Sequence, residues 1–308
     1  MSEALRPILV TGAHRSGTTW VGKMLAADAH TAYISEPLNV LHRPGVLRAK
    51  VTHWYQYICA ENEENYLSPL LELLSFRYHF LDEVCSIRSH KDFLRMGRDF
   101  CVFINGRLRS QRSLIKDPFA VFSVPWFAKR LNCKVIITVR HPAAFASSLQ
   151  RLNWPFDFRD LLDQPLLMRD YLEPYRVQMQ AINTDDMIGQ ASLLWTMIYA
   201  VVHKLCEQNP DFIVVRHEDL SLDPVAGYKS LYESLGLEFT ARVQDVILNS
   251  SSSENPNELS QKKVHSVKLN SRANVANWKK RLSSEEINCV RRITESESMY
   301  FYPDQEWQ

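Results

Sequence analysis

Residues 8–20 read ILVTGAHRSGTTW, and this stretch decides the fold that we expect. Its first four residues are apolar or β-branched and predict a buried strand. Gly12 and Gly17 follow five positions apart, which is the spacing of a G-x-x-x-x-G phosphate loop. Glycine allows the tight turn, and the N–H groups of such a loop converge on an anion where the next helix begins. The stretch therefore predicts a strand–loop–helix unit that binds phosphate.

The residue after Gly17 separates this loop from the loop of nucleoside-triphosphate enzymes. Those enzymes carry Lys at that position for the β- and γ-phosphates, followed by Ser or Thr for magnesium. Here Thr18 stands in the lysine position, and the cation lies inside the loop as Arg15. We therefore favour a nucleotide site that requires neither a triphosphate nor a metal over a tight turn with incidental glycines.

Further strands alternate with helices along the chain. Short apolar runs predict four more strands, at 31–34, 113–116, 134–139 and 212–215. Apolar residues at steps of three and four predict helices between them, most clearly at 187–206. Strands that alternate with helices form a parallel sheet with helices on both faces. We expect an α/β fold in which one P-loop-type domain spans residues 1–308.

Three segments depart from the alternation of strands and helices. The aromatic-rich stretch 39–112 predicts a largely helical insertion, and 153–186 predicts a second, loop-rich insertion. A polar, serine-rich stretch at about 249–263 predicts a flexible surface loop, or a lid that is ordered only by ligand.

Composition and charge exclude several classes of protein. The 36 Lys+Arg against 35 Asp+Glu give a net charge of +1, which argues against a nucleic-acid partner. The first apolar run, 5–11, is far shorter than the ~20 residues of a membrane span. Polar residues from 14 onward also break any signal-peptide pattern. Six scattered cysteines without a CxxC pair predict reduced thiols and no metal site. We expect a cytoplasmic protein.

A second anion site is predicted at the end of the strand 134–139. Arg140 follows this strand, and Ser148 lies eight positions farther on, which returns close to the same face of a helix. The guanidinium is a planar fork of donors that suits phosphate oxygens. Both side chains could therefore contact one phosphate group.

The segment RSGTTW at 15–20 resembles the 5′-phosphosulfate loop of the sulfotransferases that use 3′-phosphoadenylyl sulfate (PAPS). The resemblance implies that Trp20 stacks on adenine, that Arg140 and Ser148 bind the 3′-phosphate, and that the product is adenosine 3′,5′-bisphosphate (PAP). A basic segment ahead of Trp278-Lys279 is also similar to the family. The donor-binding residues that the resemblance implies are Arg15, Ser16, Gly17, Thr18, Thr19, Trp20, Arg140, Ser148, Lys268 and Arg272.

Glu36 and Lys116 each end a predicted strand near the phosphate loop. A carboxylate there would take the proton of an acceptor hydroxyl. An ammonium, together with Arg15, would stabilise the charge that develops on the leaving oxygen. The segment KDPF at 116–119 resembles the tyrosylprotein branch of the family, and EPL at 36–38 resembles the carbohydrate branch. The catalytic His of the steroid and phenol branch has no counterpart, and we interpret His14 as structural.

The resemblance spans residues 7 to about 282 and implies a sulfotransferase that moves a sulfuryl group from PAPS to a hydroxyl. The acceptor is left open among carbohydrates, small alcohols or phenols, and Tyr peptides, and its contacts are expected from 39–112 and 153–186. A P-loop nucleotide kinase and a non-catalytic nucleotide-binding module are the alternatives. No metal is implied, and the oligomeric state is not predicted.

Overall fold

The computed structural model describes residues 6–258 and 267–307. Within these ranges, five strands form a single parallel sheet: β1 (Ile8–Gly12), β2 (Thr31–Ser35), β3 (Arg112–Lys116), β4 (Lys134–Val139) and β5 (Ile213–Arg216). Their order across the sheet is β2-β3-β1-β4-β5, so the strand that leads into the phosphate loop lies at the centre. The predicted α/β fold with a central parallel sheet is confirmed. Each predicted strand is present, and its ends differ from the expected ones by at most one residue.

Helices fill the connections between the strands. The α-helices are α1 (Thr18–Leu25), α2 (Leu67–Leu74), α3 (Phe80–Ser86), α4 (His90–Leu108), α5 (Val124–Arg130), α6 (Pro142–Leu152), α7 (Arg159–Leu162), α8 (Pro165–Leu167), α9 (Arg176–Ala181), α10 (Met187–Gln208), α11 (His217–Leu222), α12 (Pro224–Leu235), α13 (Ala241–Ser251), α14 (Ser271–Val275) and α15 (Ser284–Phe301). Short 3₁₀ turns lie at Glu63–Asn65, Pro118–Ser123, Glu173–Tyr175, Asn277–Lys280 and Asp304–Trp307, and a π-helical turn lies at Met168–Leu172. In the part of the chain described, no helix is both long enough and apolar enough to cross a bilayer.

The sheet is buried on both faces because its apolar side chains alternate between two hydrophobic clusters. Leu9 of β1 belongs to a large cluster with residues of α6, α10 and α15. Its neighbours Ile8 and Val10 belong to a second cluster with residues of α1, α12 and α13. Successive side chains of a strand point to opposite faces, so β1 joins the two clusters and holds the loop after it in place.

The first insertion is helical only in its second half. Helices α2, α3 and α4 confirm the prediction from residue 67 onward, whereas residues 39–62 are mostly irregular. Pro44 interrupts helix formation in the irregular part. Buried side chains such as Tyr55 and Leu47 nevertheless anchor it to the large cluster.

The serine-rich stretch begins inside a helix that the sequence did not predict. Helix α13 continues to Ser251 because Val243 and Ile247 bury one of its faces. The loop expected at 249–263 therefore starts later, at 252, and its residues 259–263 lie outside the described residues. The Ser250 hydroxyl faces inward, where it accepts a hydrogen bond from Trp20 Nε1 at 2.9 Å.

Candidate active site

The loop between β1 and α1 needs glycine at both predicted positions. Gly12 has a φ of 139° and Gly17 a φ of 100°, which side-chain-bearing residues rarely adopt. A Cβ on Gly12 would overlap the carbonyl oxygen of Thr138, and a Cβ on Gly17 would overlap the ring of His217. The loop therefore lies tightly between β4 and the start of α11, with its backbone close to both.

The backbone of Arg15 adopts the left-handed conformation, with a φ of 67°. Neighbouring residues hold both its backbone and its side chain. Its carbonyl oxygen accepts a hydrogen bond from Arg140 at 3.1 Å. Its Nε donates to the Ser148 hydroxyl at 3.3 Å. The two predicted anion sites are therefore in direct contact at the carboxyl edge of the sheet.

Burial disfavours the charge of both arginines, and Glu218 partly offsets this effect at Arg140. Burial, followed by the nearby charges of Arg140 and Arg151, lowers the pKa of Arg15 to about 10. Burial also lowers the pKa of Arg140. Among the described residues, Arg140 Nε is a buried donor without a hydrogen-bond partner. Because the N-terminus of α1 adds a partial positive charge, this point of the molecule favours an anion.

An open cleft of about 710 Å³, which we call the anion cleft, begins at this point. Its wall is formed by Arg15, Gly17, Thr18, Thr19, Trp20, Arg140, His217, Ser221, Ser250, Val267, Leu269, Ser271 and Asn274. Trp20 is held there by its bond to Ser250 and by an edge-on contact with Tyr228, whose ring centroid is 5.4 Å away. Burial lowers the pKa of His217 well below its usual value, and the charges of Arg140 and Arg15 act in the same direction, so its ring is neutral.

Ser16 and Ser148, two of the residues predicted to bind the donor nucleotide, hold the loop and do not line the cleft. The Ser16 hydroxyl donates to the carbonyl oxygen of Ala13 and also contacts the Thr138 hydroxyl, each at 2.6 Å, and the residue is fully buried. Its N–H is also engaged, with the Ala13 carbonyl oxygen at 3.1 Å. Ser148 is buried against Arg15. Both assignments stay predictions, and in this structure the two side chains position the loop and Arg15.

The assignments of Lys268 and Arg272 also stay predictions, and in this structure neither side chain lies on the wall of the anion cleft. Both side chains are exposed, and Arg272 donates to the carbonyl oxygen of Leu222 at 2.9 Å. Side chains alternate along the segment before α14, so Val267 and Leu269 face the cleft and Lys268 does not. Within α14, Ser271 and Asn274 share the face toward the cleft and leave Arg272 outside it.

Glu36 and Lys116 meet where β2 and β3, which pair side by side in the sheet, end. The Glu36 N–H donates to the Lys116 carbonyl oxygen at 2.7 Å, and the Lys116 ammonium pairs with Glu36 Oε1. Glu36 Oε2 accepts a hydrogen bond from Asn39 at 2.8 Å. The side chain of Lys116 is only 2% exposed, against 25% for Glu36. The direct contact of Lys116 with a leaving oxygen stays a prediction, and in this structure the ammonium lies beneath the carboxylate.

Asp117 is a structural carboxylate that the sequence analysis did not single out. It accepts hydrogen bonds from the N–H groups of Leu38, at 2.5 Å, and Phe119, at 3.0 Å. It thereby ties the segment after β2 to the segment after β3 and fixes Glu36 beside Lys116. Burial, followed by the charge of Glu36, raises the pKa of Asp117 to about 7. The Asp-Pro pair at 117–118, which is typical of a cap, was the available signal.

A second cleft, of about 1300 Å³, opens on the other part of the loop, and we call it the aromatic cleft. Its wall is formed by His14, Arg15, Thr18, Thr19, Glu36, Asn39, Trp54, Pro118, Phe119, Asn153, Trp154, Pro155, Phe156, Asp157 and Asp160. Arg15, Thr18 and Thr19 belong to the walls of both clefts. The two open spaces therefore meet at the phosphate loop, and Glu36 lies on the aromatic side.

His14 lies on this wall as a neutral imidazole. Burial, followed by the charge of Arg15, lowers its pKa to about 4. Its Nδ1 lies 2.6 Å from the Tyr55 hydroxyl, which also accepts the His14 N–H at 3.1 Å. The interpretation of His14 as structural stays a prediction. Among the described residues, no group of three or more His, Cys, Asp or Glu side chains could hold a metal ion.

The comparisons with known proteins agree on one family. A family model described as "Sulfotransferase family" matches residues 7–241. Carbohydrate sulfotransferase 1 of Danio rerio is 28% identical over 185 residues, which cover 59% of this chain and 38% of that relative. The chain thus spans well under half the length of this curated relative.

Solved structures of low sequence identity also match. The sulfotransferase domain from the curacin biosynthetic pathway is 15% identical and has a TM-score of 0.48, with 94% of this chain and 96% of that chain covered. Mouse sulfotransferase SULT7A1, solved in complex with PAP, is 12% identical and has a TM-score of 0.47, with 99% of this chain and 88% of that chain covered.

Proposed function

Because the chain belongs to the sulfotransferase family, we propose that it transfers a sulfuryl group from PAPS to a hydroxyl group of an acceptor. The observation that carries this proposal is the wall that the two clefts share. Arg15, Thr18 and Thr19 line both the anion cleft and the aromatic cleft. A donor in one cleft and an acceptor in the other would meet at these three residues.

The anion cleft is the proposed site of the donor nucleotide. The N-terminus of α1 and Arg15 would bind the 5′-phosphosulfate, because both supply positive charge at the loop. Arg140 would bind the 3′-phosphate, which would give its buried Nε the partner that the described residues do not supply. Trp20, which is fixed on the wall by Ser250 and Tyr228, would stack on the adenine.

The aromatic cleft is the proposed site of the acceptor, with Glu36 as the general base. The acceptor oxygen forms a bond to sulfur while its proton passes to the Glu36 carboxylate. The bond between sulfur and the bridging oxygen of the 5′-phosphate breaks, and PAP leaves with that electron pair. Arg15 and the N-terminus of α1 stabilise the charge that develops on the leaving phosphate. Lys116 and Asn39 hold the two carboxylate oxygens of Glu36 and act as positioning residues.

Nucleotide binding tests this proposal separately from the choice of acceptor. We expect PAP to raise the Tm of the purified protein, and ATP with Mg²⁺ to raise it less, because the loop has Thr18 where a kinase has Lys. Stabilisation by ATP–Mg²⁺ but not by PAP would overturn the proposal in favour of a kinase.

Transfer of labelled sulfate from PAPS then separates an enzyme from a binding module. The acceptor panel contains saccharides, phenols, alcohols and Tyr peptides, and a product is identified by the added mass of one SO₃ group. We expect transfer by the native chain and transfer slower by a factor of about 10² or more by Glu36→Gln. PAP binding without transfer to any acceptor class would instead support a non-catalytic nucleotide-binding module.

We also propose a cytoplasmic location. All six cysteines lie in the described part of the chain, and none forms a disulfide, which is typical of proteins kept in a reducing compartment. Fractionation of cells that express the full chain tests this location, and recovery with secretory membranes would contradict it.

A further inference from the structure

We propose, on the basis of the function above, that the acceptor is an uncharged ring with several hydroxyl groups, that is, a neutral sugar, and that Trp154 is its platform. The proposal concerns the aromatic cleft, in which four large aromatic side chains and three carboxylates share one wall. It rests on three properties of that wall: an exposed tryptophan that is fixed in place, a surplus of hydrogen-bond acceptors, and a shortage of cations.

Trp154 presents an aromatic face at the point where the donor and acceptor clefts meet. Its residue exposure is 40%, so the indole is only partly covered by the protein. The guanidinium carbon of Arg15 lies 5.8 Å from the centre of its ring. A large apolar ring left open on the wall of a cleft gains free energy when a ligand covers it. Covering this ring would place the ligand beside Arg15, one of the proposed catalytic groups.

The backbone fixes Trp154 in this place. Helix α6 ends at Leu152, and Asn153 adopts the left-handed conformation that ends many helices, with a φ of 52°. The Trp154 N–H then donates to the carbonyl oxygen of Leu149 at 3.2 Å. The tryptophan is therefore attached to the same helix as Ser148, which contacts Arg15, and it is not part of a free loop.

A second aromatic pair on the wall is also held in place. The rings of Trp54 and Phe119 are 4.6 Å apart between centroids. The Trp54 N–H donates to Asp160 Oδ1 at 3.2 Å, so a carboxylate is attached to this aromatic pair. Flat apolar faces with carboxylates next to them suit a ring that has C–H groups on its faces and O–H groups at its edge.

The polar groups of the wall are mostly acceptors. Glu36, Asp157 and Asp160 offer carboxylate oxygens, and Asn39 and Asn153 offer amide groups. An ionised carboxylate accepts hydrogen bonds and cannot donate them. A phenol or a simple alcohol brings one O–H group, which the proposed base Glu36 would use. Asp157, Asp160 and Asn39 already accept hydrogen bonds from Arg159, Trp54 and Leu41. Their oxygens have further lone pairs, so a sugar ring with several O–H groups can add hydrogen bonds to them.

The charges of the wall disfavour an anionic acceptor. Among the described residues, Arg15 is the one Lys or Arg side chain on the wall, and the donor's phosphosulfate would also use it. Asp157 pairs with Arg159 at 2.5 Å, and Asp160 lies 3.7 Å from His53 Nδ1, so each carboxylate already has a basic neighbour of its own. A uronic acid, a sulfated sugar or an acidic Tyr peptide would bring negative charge next to these carboxylates without a free cation.

The experiment compares acceptors with the native chain and PAPS. The neutral arm contains methyl β-galactoside, lactose, maltose and cellobiose. The other arms contain 4-nitrophenol, chondroitin and an acidic Tyr peptide. We expect kcat/KM to be at least tenfold higher for one neutral saccharide than for any compound of the other arms, a difference of about 1.4 kcal/mol.

Variants test the role of Trp154. We expect Trp154→Ala to raise the KM of the preferred saccharide about tenfold, since one stacking contact supplies an effect of that order, and Trp154→Phe to retain most of the affinity. Phe93→Ala is the matched control, because Phe93 is 61% exposed on α4 and is not on the wall of either cleft. An unchanged KM in Trp154→Ala would overturn the proposal that Trp154 is the platform for the acceptor.

The result also separates this inference from the proposed function. PAP binding with faster transfer to chondroitin, the acidic peptide or 4-nitrophenol would overturn the sugar inference and leave the sulfotransferase intact. Calorimetry of the four saccharides in the presence of PAP covers the case of slow turnover. PAP binding without binding or transfer of any of them would overturn the inference. Failure to bind PAP would overturn the function itself.

Discussion

The Lys116 ammonium lies beneath the Glu36 carboxylate and pairs with its Oε1, while the backbones of the same two residues share a hydrogen bond of 2.7 Å. This double contact joins the ends of β2 and β3 at the aromatic cleft. It gives Glu36 a fixed place on the cleft wall, and it keeps the lysine out of that wall.

Replacement of the proposed base tests its role in proton transfer. We expect Glu36→Gln to lower kcat by about 10²–10⁴, the usual contribution of a general base, while the Kd for PAP stays within about twofold. Initial rates with labelled PAPS and a PAP titration measure both quantities. Glu233→Gln, an exposed position on α12, is the control. Full turnover in Glu36→Gln would remove the base assignment.

A double-mutant cycle distinguishes positioning by Lys116 from direct catalysis. If Lys116 acts through Glu36, the single variant Lys116→Met lowers kcat. In the double variant it then lowers kcat little further than Glu36→Gln does alone. Methionine keeps most of the buried volume, and the Tm of each variant shows whether it folds. Additive losses of kcat in the double variant would contradict the positioning role. They would restore the direct electrophilic role that the sequence suggested.

Nucleotides that differ by one phosphate group test Arg140. We expect Arg140→Gln to weaken PAP binding about 10- to 100-fold, which corresponds to the loss of one hydrogen bond between charged groups. Adenosine 5′-monophosphate has no 3′-phosphate, so its affinity should fall much less. The exposed Arg88→Gln is the matched control. Equal losses for both nucleotides would show that Arg140 acts only by holding the Arg15 carbonyl oxygen.

His141 predicts how stability changes in acid. Its ring is 2% exposed and stacks on Trp278 with centroids 4.8 Å apart, and burial lowers its pKa to about 3. An unfolded histidine takes up a proton near pH 6.5, and the folded one does not until about pH 3, so protonation favours unfolding below pH 6.5. Each pH unit below that point should lower the free energy of unfolding by about 1.4 kcal/mol for this residue.

Urea unfolding at about pH 7.5, 6.5 and 5.5, values on both sides of the usual histidine pKa of about 6.5, measures how the free energy of unfolding changes with pH. We expect His141→Asn to be less stable at pH 7.5 but to have a slope smaller by one proton, because the Asn amide binds no proton in this pH range. Asn still offers an acceptor for the Ala143 N–H, which His141 Nδ1 accepts in the native chain. His90→Asn, on the exposed start of α4, should keep the native slope. An unchanged slope in His141→Asn would contradict the neutral, buried state of His141.

Local patterns in the sequence were sufficient to predict the sheet, the phosphate loop and the approach of Arg140 to Arg15. A run such as KVIITV or a pair of glycines at fixed spacing imposes its structure through nearby backbone geometry. The position of Glu36 and Lys116 at the ends of two strands was also predicted, whereas their contact depends on the pairing of β2 with β3.

Features that depend on the direction of a side chain were not accessible. Lys116 ends a strand where either face was open to it, and its packing beside Gly22 of α1 and its pairing with Glu36 bury the side chain. Lys268 has the right charge for a nucleotide. Side chains alternate along this segment, however, so Val267 and Leu269 face the cleft and Lys268 does not. The aromatic cleft joins Trp54, Phe119 and Trp154 from three distant segments, and no local pattern connects them.

The wall that both clefts share also bears on whether the proposed reaction needs a covalent intermediate on the protein. In the proposed reaction the sulfuryl group crosses directly from donor to acceptor beside Arg15, Thr18 and Thr19, so that reaction needs no covalent intermediate on the chain. Both substrates must then be bound together before either product leaves. Double-reciprocal rate plots should intersect, as in sequential kinetics, and parallel lines would indicate a ping-pong order with a sulfated protein intermediate.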